Sequence, residues 1–377
     1  MKKIFLLGAM VCALGMSVSA QNFYTMTFDM DGDTLRIATW LHDDSEYRGN
    51  DYVLLSQSAE ILTVDDDDTV PYRRKGDSIF LLEHHDTVRF VYTLPASDYR
   101  TADGAIVLRR EGNWYPHRNN ELLTATVHIE AKDHYLIGGT VLTPSYELHL
   151  ILLPKDKYTC KVMGSPMRPF HFYRAISDTT SYPDAFYSEF IDSYQFYCTF
   201  FDDSLSQKPM NIVEIGDPDF VMCQSLRDMI IFGHYFYDVY AMMPDYSWIP
   251  HEMAHQWWGN SLFFVYRDYA LSESLNEYIK LQYLKSRGQG YKKQMKYYKS
   301  AMKLARKRLP FADIHNVESQ DESIAIYYTA PYRLEKSGNA KVDALLQQLY
   351  HNHKHTVVTR KVFLLECKAL KGWLMRK

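Results

Sequence analysis

Two histidines four residues apart with a glutamate directly after the first, His251-Glu252-Met253-Ala254-His255, place three chemically useful side chains within little more than one turn of helix. Residues i and i+4 share a helix face, so both imidazoles can grip one tetrahedral metal ion while Glu252 reaches a water bound to it. Imidazole is a common zinc ligand, and a carboxylate left off the metal is suited to take that water's proton. The five-residue pattern fixes only three positions, and a solvated helix with a stray histidine pair would also satisfy it. Residues downstream decide between the two.

A catalytic zinc commonly keeps three protein ligands and one open position. Glu273, in Ala270-Leu271-Ser272-Glu273-Ser274-Leu275-Asn276-Glu277-Tyr278, is well placed as the third if a helix–loop–helix turn between Asn260 and Asp268 brings it back over the histidines. Glu277 shares its face and competes for the role. Taken singly, either glutamate would read as an exposed helix position. Ser247 reads as the N-cap of the first helix, which puts Pro250 in the first turn, where its missing N–H removes no intrahelical bond.

The run His251 to Asn260, continuing Gln256-Trp257-Trp258-Gly259-Asn260, and the later segment Asp268-Tyr269-Ala270-Leu271-Ser272-Glu273 together resemble the gluzincin metallopeptidases of the aminopeptidase N and leukotriene hydrolase type. The resemblance implies that His251, His255 and Glu273 ligate zinc (Zn2+), that Glu252 is the general base, and that a peptide or small protein is the substrate. It also implies an N-terminal β domain followed by a thermolysin-like catalytic domain. This chain departs from the pattern in several places. The interval from His255 to Glu273 is one residue shorter than usual, and Ser274 stands where the family has glycine, which would crowd the cleft floor. Asp268 keeps its place and is expected either to orient a ligand from behind or to cap the helix. Upstream, Phe220-Val221-Met222-Cys223-Gln224-Ser225 lacks the family glutamate that binds a substrate's free amino group. The family's transition-state tyrosine corresponds best to Tyr328 in Tyr327-Tyr328-Thr329-Ala330-Pro331, with Tyr327 and Tyr332 as alternatives. These departures keep two other readings open: a member that binds peptide or protein without turnover, and a zinc hydrolase acting on a non-peptide substrate.

The elements that must hold these groups are legible from periodicity. Short apolar runs at Thr34 to Thr39, Ile79 to Leu82, Val88 to Thr93, Ala105 to Arg109, Leu122 to Ile129 and Tyr146 to Leu153 are separated by Asp-Gly, Lys-Gly and Gly-Gly pairs. They predict an antiparallel β domain over residues 21–155. Residues 156–377 then predict an α+β catalytic domain, a small mixed sheet plus a helical lobe with a short helical C-terminus. Within it, Pro183 to Asp203 reads as helix, Asn211 to Ile215, Phe220 to Cys223 and Asp228 to Phe232 as strands, and Leu271 to Gly288 as helix. Zinc is expected where sheet and helices meet.

With 377 residues, 46% hydrophobic and 23% charged, the chain can build two or three cores. Residues 1–20 read as a cleavable signal peptide: Lys2 and Lys3, an apolar stretch from Ile4 to Met16, then Val18-Ser19-Ala20. That implies export to the periplasm or extracellular space and a mature chain without a membrane span. Removing those two lysines leaves 40 basic against 46 acidic residues, a charge of about −6 that does not favour nucleic acid or anionic lipid. Cys160, Cys198, Cys223 and Cys367 show no CxxC spacing and give no deducible pairing. Asp29-Met30-Asp31-Gly32-Asp33 reads as a hairpin turn, because Trp40 cannot supply the carboxylate that a calcium loop needs at its twelfth position.

Overall fold

The computed structural model describes residues 22–42, 52–66, 68–83, 85–118, 122–166, 168–179, 181–205, 208–234, 247–265, 268–307, 309, 314 and 317–370. Residues 1–20, read above as a signal peptide, lie outside them. The described residues form two compact units, one made of those up to 94 with 110–129 and 140–147, the other of 95–109, 130–139 and those from 148 onward.

The first unit is built on a seven-stranded sheet. Its opening strand, Asn22–Asp31, buries alternate residues, Tyr24, Met26 and Phe28 among them, and pairs antiparallel with Thr34–His42 through Asp31 opposite Thr34. Gly32 takes the positive φ of that tight turn, so the aspartates around it form a hairpin. The sheet is not antiparallel throughout, since Asn22 to Phe28 runs parallel to Leu123 to Ile129. A parallel neighbour requires a long return path, and here nearly the whole unit lies between the two strands.

The second unit carries a five-stranded sheet: β1 (Tyr158–Ser165), β2 (Arg168–Ala175), β3 (Met210–Ile215), β4 (Cys223–Leu226) and β5 (Met229–Gly233), in spatial order β1-β2-β3-β5-β4. β2, β3 and β5 are parallel, while β4 folds back antiparallel along the edge. The strand expected over Phe220 to Cys223 starts only at Cys223. Asp217-Pro218-Asp219 turns the chain first, with Phe220 N–H donating to the Asp217 carbonyl at 3.0 Å and Val221 N–H to that of Asp219 at 3.1 Å.

Helix α1 (Asp184–Phe201) lays Phe186, Phe190, Tyr194, Tyr197 and Phe201 along one face. They pack edge-to-face and stacked against Phe172, Phe232, Trp248 and Trp257, one use for the abundant aromatics. The remaining α-helices among the described residues are α2 (Trp248–Ala254), α3 (Tyr269–Ser286), α4 (Tyr291–Ala301), α5 (Gln320–Ile324), α6 (Ala330–Lys336), α7 (Asn339–His353) and α8 (Arg360–Glu366). A π-helical turn, Ala325–Thr329, joins α5 to α6. Periodicity marks one apolar face on α3, yet every residue from Ala270 to Leu284 is buried, so its polar side chains must find partners inside the protein. Among the described residues, Cys160, Cys198, Cys223 and Cys367 form no disulfide.

Candidate metal centre

His251 lies on α2 and His255 closes it as the C-cap residue, still in right-handed helical geometry. Ser247 occupies the N-cap position without donating or accepting a side-chain capping bond, and Pro250 falls in the first turn. The helix is fixed instead by its neighbours: Tyr197 donates its hydroxyl to the Pro250 carbonyl at 2.8 Å. α3 crosses α2 and brings Glu273 between the two imidazoles. Glu273 Oε2 lies 3.2 Å from His251 Nε2, Oε1 lies 3.2 Å from His255 Nε2, and the two Nε2 atoms are 3.3 Å apart.

This geometry fits a metal. One ligand atom from each of the three residues lies within 4.8 Å of the others, the nitrogens are both Nε2, and buried Glu273 Oε1 accepts no hydrogen bond. The electrostatics agree. Burial works against a charged His251 ring, but Glu273 and Glu277 outweigh it and hold its pKa up at about 10. Two buried carboxylates that trap a proton there offer the negative field that would hold a divalent cation.

The outer contacts of the ligands are also supplied. Glu277, the competing third ligand, instead sets its Oε1 2.9 Å from Nδ1 of His251, on the side away from Glu273. Lys280, itself buried, pairs with Glu277 at 2.6 Å, and Tyr298 donates to the same carboxylate. Burial would raise Glu277's pKa, but Lys280 and His251 hold it down at about 2. On the other histidine, Nδ1 lies 3.2 Å from the Trp258 carbonyl and 2.7 Å from Asn276 Nδ2, while Ser272 and Asn276 both donate to that carbonyl. Such contacts fix a ring's tautomer and orientation.

The Gln256 to Asn260 run explains itself at this level. Gln256 reaches the β4–β5 hairpin, donating to Ser225 Oγ at 2.8 Å and the Leu226 carbonyl at 2.7 Å and accepting from Asp228 N–H at 2.9 Å. Trp257 stacks on Phe201 and Trp258 on Phe264. Gly259 has φ +126°, and a Cβ there would come within 3.1 Å of His255 Nδ1. The expected helix–loop–helix contains a short strand as well, Phe263–Phe264, paired in parallel with Val357–Val358.

Glu252 is enclosed beside the cluster without joining it, and burial pushes its carboxyl above the usual carboxylate range. The Cys223 thiol lies against it, itself pushed up by burial and by the Glu252 charge. Tyr327 is the tyrosine from its segment that reaches this site: its ring centroid is 6.5 Å from that of His251 and its phenol approaches Glu273. Tyr328 is placed elsewhere, its ring packed on Tyr297 and Tyr298. Consecutive residues on a helical turn face roughly 100° apart, and the π turn sets which of them faces His251 and Glu273. Ser274 does not crowd the cleft; its buried hydroxyl donates to the Ile326 carbonyl at 2.8 Å and so anchors the turn that bears Tyr327. Asp268, at the N-cap of α3, makes no side-chain cap; it accepts the Arg360 backbone N–H at 3.0 Å and forms an ion pair with the same residue's guanidinium, whose Nε lies 3.2 Å away.

A second convergent group, Asp178, Glu214 and His234, lies at the ends of the parallel strands. Arg174 pairs with Asp178, and Tyr182 and His234 hold Glu214 at 2.5 and 2.7 Å. The guanidinium offsets the carboxylate charge that would otherwise call for a cation, so this is an ion network of the scaffold.

No protein-family model matches the sequence, and no curated protein matches it. Solved structures do match the fold. A mutant M1 zinc metallopeptidase from Deinococcus radiodurans bound to a Tyr-Ser-Ala substrate superposes with a TM-score of 0.72 at 13% identity, over 95% of this chain and 94% of that one. Legionella pneumophila aminopeptidase A in complex with aspartic acid gives 0.74 at 10% identity, over 96% of this chain and 50% of that one. Native yeast LTA4 hydrolase gives 0.67 at 12%, over 94% and 66%. The chain has the fold of the M1 zinc metallopeptidases.

Proposed function

We propose that the protein is a zinc-dependent peptidase that hydrolyses peptide bonds. The observation that carries this reading is the convergence of His251, His255 and the hydrogen-bond-free oxygen of buried Glu273, with Glu252 beside them and off the ligand set. His251, His255 and Glu273 would hold the zinc, which when bound acidifies a water and polarises a carbonyl. Glu252 takes the water's proton at its carboxylate and returns it to the departing amine. Tyr327 donates its phenolic hydrogen bond to the oxygen that gains charge. The fold likeness to peptidases, one of them bound to a tripeptide, supports the same reading.

The Cys223 thiol beside Glu252 bears on the substrate class. It is held neutral in the segment where the resemblance expects an anion for a free amino group, so peptides with blocked N-termini fit this site as well as free ones. The test is cleavage of matched free-amino and N-acetylated peptide libraries by zinc-loaded protein, with Glu252→Gln as control. Turnover of both sets, abolished by Glu252→Gln at unchanged zinc content, is the expected result. Stoichiometric zinc with no Glu252-dependent turnover would instead mark a peptide-binding protein. Export is proposed from residues 1–20 alone, and sequencing the N-terminus of the secreted protein checks it: a start at Gln21 is expected.

A further inference from the structure

Between Glu277 and Asp313 the sequence holds eleven lysines and arginines and no acidic residue, in a chain whose formal charge is −4. Helix α4 lies within that stretch. Its inner face, Gln294, Met295, Tyr298 and Ala301, is buried, while Lys292, Lys296 and Lys299, spaced by four and then three residues, form an exposed stripe on the other side. Lys285 and Arg287, at the end of α3, are paired with Glu335 and Glu189. The three stripe lysines pair with no carboxylate among the described residues. Like charges at these spacings destabilise a helix, and α4 has no acidic side chain to relieve them. Helix stability does not account for such a stripe; attraction of an anion does.

The stripe stands beside the cluster of His251, His255 and Glu273. On the inner face of α4 the Tyr298 hydroxyl donates to Glu277, whose Oε1 is 2.9 Å from His251 Nδ1. Next to the stripe, Tyr297 is 48% exposed and packs edge-on against Tyr328, with 5.5 Å between ring centroids. Tyr328 directly follows Tyr327, whose ring faces that of His251. Lysines four apart on a helix are separated by a rise of about 6 Å, close to the roughly 6.6 Å between alternate residues of an extended strand. An extended peptide with acidic side chains at alternate positions matches that spacing. A membrane surface does not suit α4, because an interfacial helix turns its apolar face outward and this one turns it into the protein. We propose that the Lys292, Lys296 and Lys299 face of α4 is an exosite that binds an acidic segment of the peptide substrate, some residues along from the bond that is cleaved. The inference rests on the peptidase reading and names its substrate class.

The test compares full-length, zinc-loaded wild type with Lys292→Gln/Lys296→Gln/Lys299→Gln and with Lys132→Gln/Lys341→Gln/Lys361→Gln, which removes the same charge from exposed positions elsewhere. Two peptides share a cleavable core and carry, about six residues from the scissile bond, a tail alternating serine with either glutamate or glutamine. At low salt the wild type is expected to show an about 10-fold lower KM for the glutamate tail at similar kcat, a preference that shrinks as salt rises. The stripe variant should lose that preference while cleaving the glutamine-tailed peptide as the wild type does, and the control variant should keep it. No preference in the wild type, or equal loss in both variants, overturns the proposal. Stripe-dependent binding to phosphatidylglycerol vesicles without a glutamate-tail preference overturns it in favour of a membrane surface. Fluorescence anisotropy of the two labelled peptides on a Glu252→Gln background reads binding apart from turnover. Stripe-dependent preference there, in a protein that cleaves neither peptide, overturns the peptidase reading alone.

Discussion

Glu273 and Glu277 are the same residue type on one helix face, a single turn apart, and their partners alone separate their roles. Glu273 lies among the two Nε2 atoms, whereas Glu277 touches Nδ1 of His251 and is neutralised by Lys280. Glu277→Gln keeps the shape and removes the charge that orients the imidazole. It should weaken zinc binding about 10-fold to 100-fold by chelator competition, while Glu273→Gln should reduce stoichiometry itself. Equal effects from the two would mean that the roles are not divided in this way. The convergence of His251, His255 and Glu273 was legible from spacing and resemblance because helical geometry converts spacing into a shared face. The tyrosine was not. A π turn shifts the phase by one residue, and nothing in Tyr327-Tyr328-Thr329 announces it, so the structure puts Tyr327 at the ligands and Tyr328 on Tyr298. The pairing of Asp268 with Arg360 was not legible for a related reason: the two lie far apart along the chain.

Between α2 and α3 the chain must leave the helix that carries His251, tie down the edge hairpin and return within a few residues. Gly259 is the position where that path is tightest, with a φ of +126° and His255 Nδ1 within 3.1 Å of where a side chain would begin. Gly259→Ala should therefore cost about 1–3 kcal/mol of stability and displace His255, lowering both the thermal midpoint and zinc affinity. A variant with normal zinc affinity would show that the loop relaxes without moving the ring. Element types were largely readable, since alternation and helical spacing survive in α1, β3, β5 and the strands of the first unit. The pairing of Phe263–Phe264 with Val357–Val358 was not, because a two-residue strand has no period and its partner is remote in sequence. The parallel neighbour of Asn22–Asp31 escaped for the same reason, local pattern carrying no record of which distant strand lies alongside.

The ligands and their outer contacts all belong to the second unit, so metal and acid act on different parts of the molecule. Zinc at a thousandfold excess over its Kd stabilises the fold that binds it by about 4 kcal/mol, and chelation should lower hydrogen-exchange protection in α2 and α3 first. Acid finds His117 in the first unit. Its ring is buried against Tyr115, 5.0 Å between centroids, with Nε2 3.0 Å from Asn113 Oδ1. Burial, aided by the Arg110 charge, lowers its pKa from the ordinary 6.5 to about 4. Between those values the unfolded chain binds a proton that the folded chain refuses, so stability rises with pH across that window. The contribution is present in full above the unfolded value and is lost as pH falls from 6.5 through 4, about 3 kcal/mol in all. Replacing the ring by His117→Gln removes the titration. Wild type should lose about 3 kcal/mol more than the variant between neutral pH and pH 4, read from exchange protection in strands Asn22–Asp31 and Thr34–His42. Parallel pH profiles for the two proteins would show that His117 is protonated in the folded state, and that burial does not govern it.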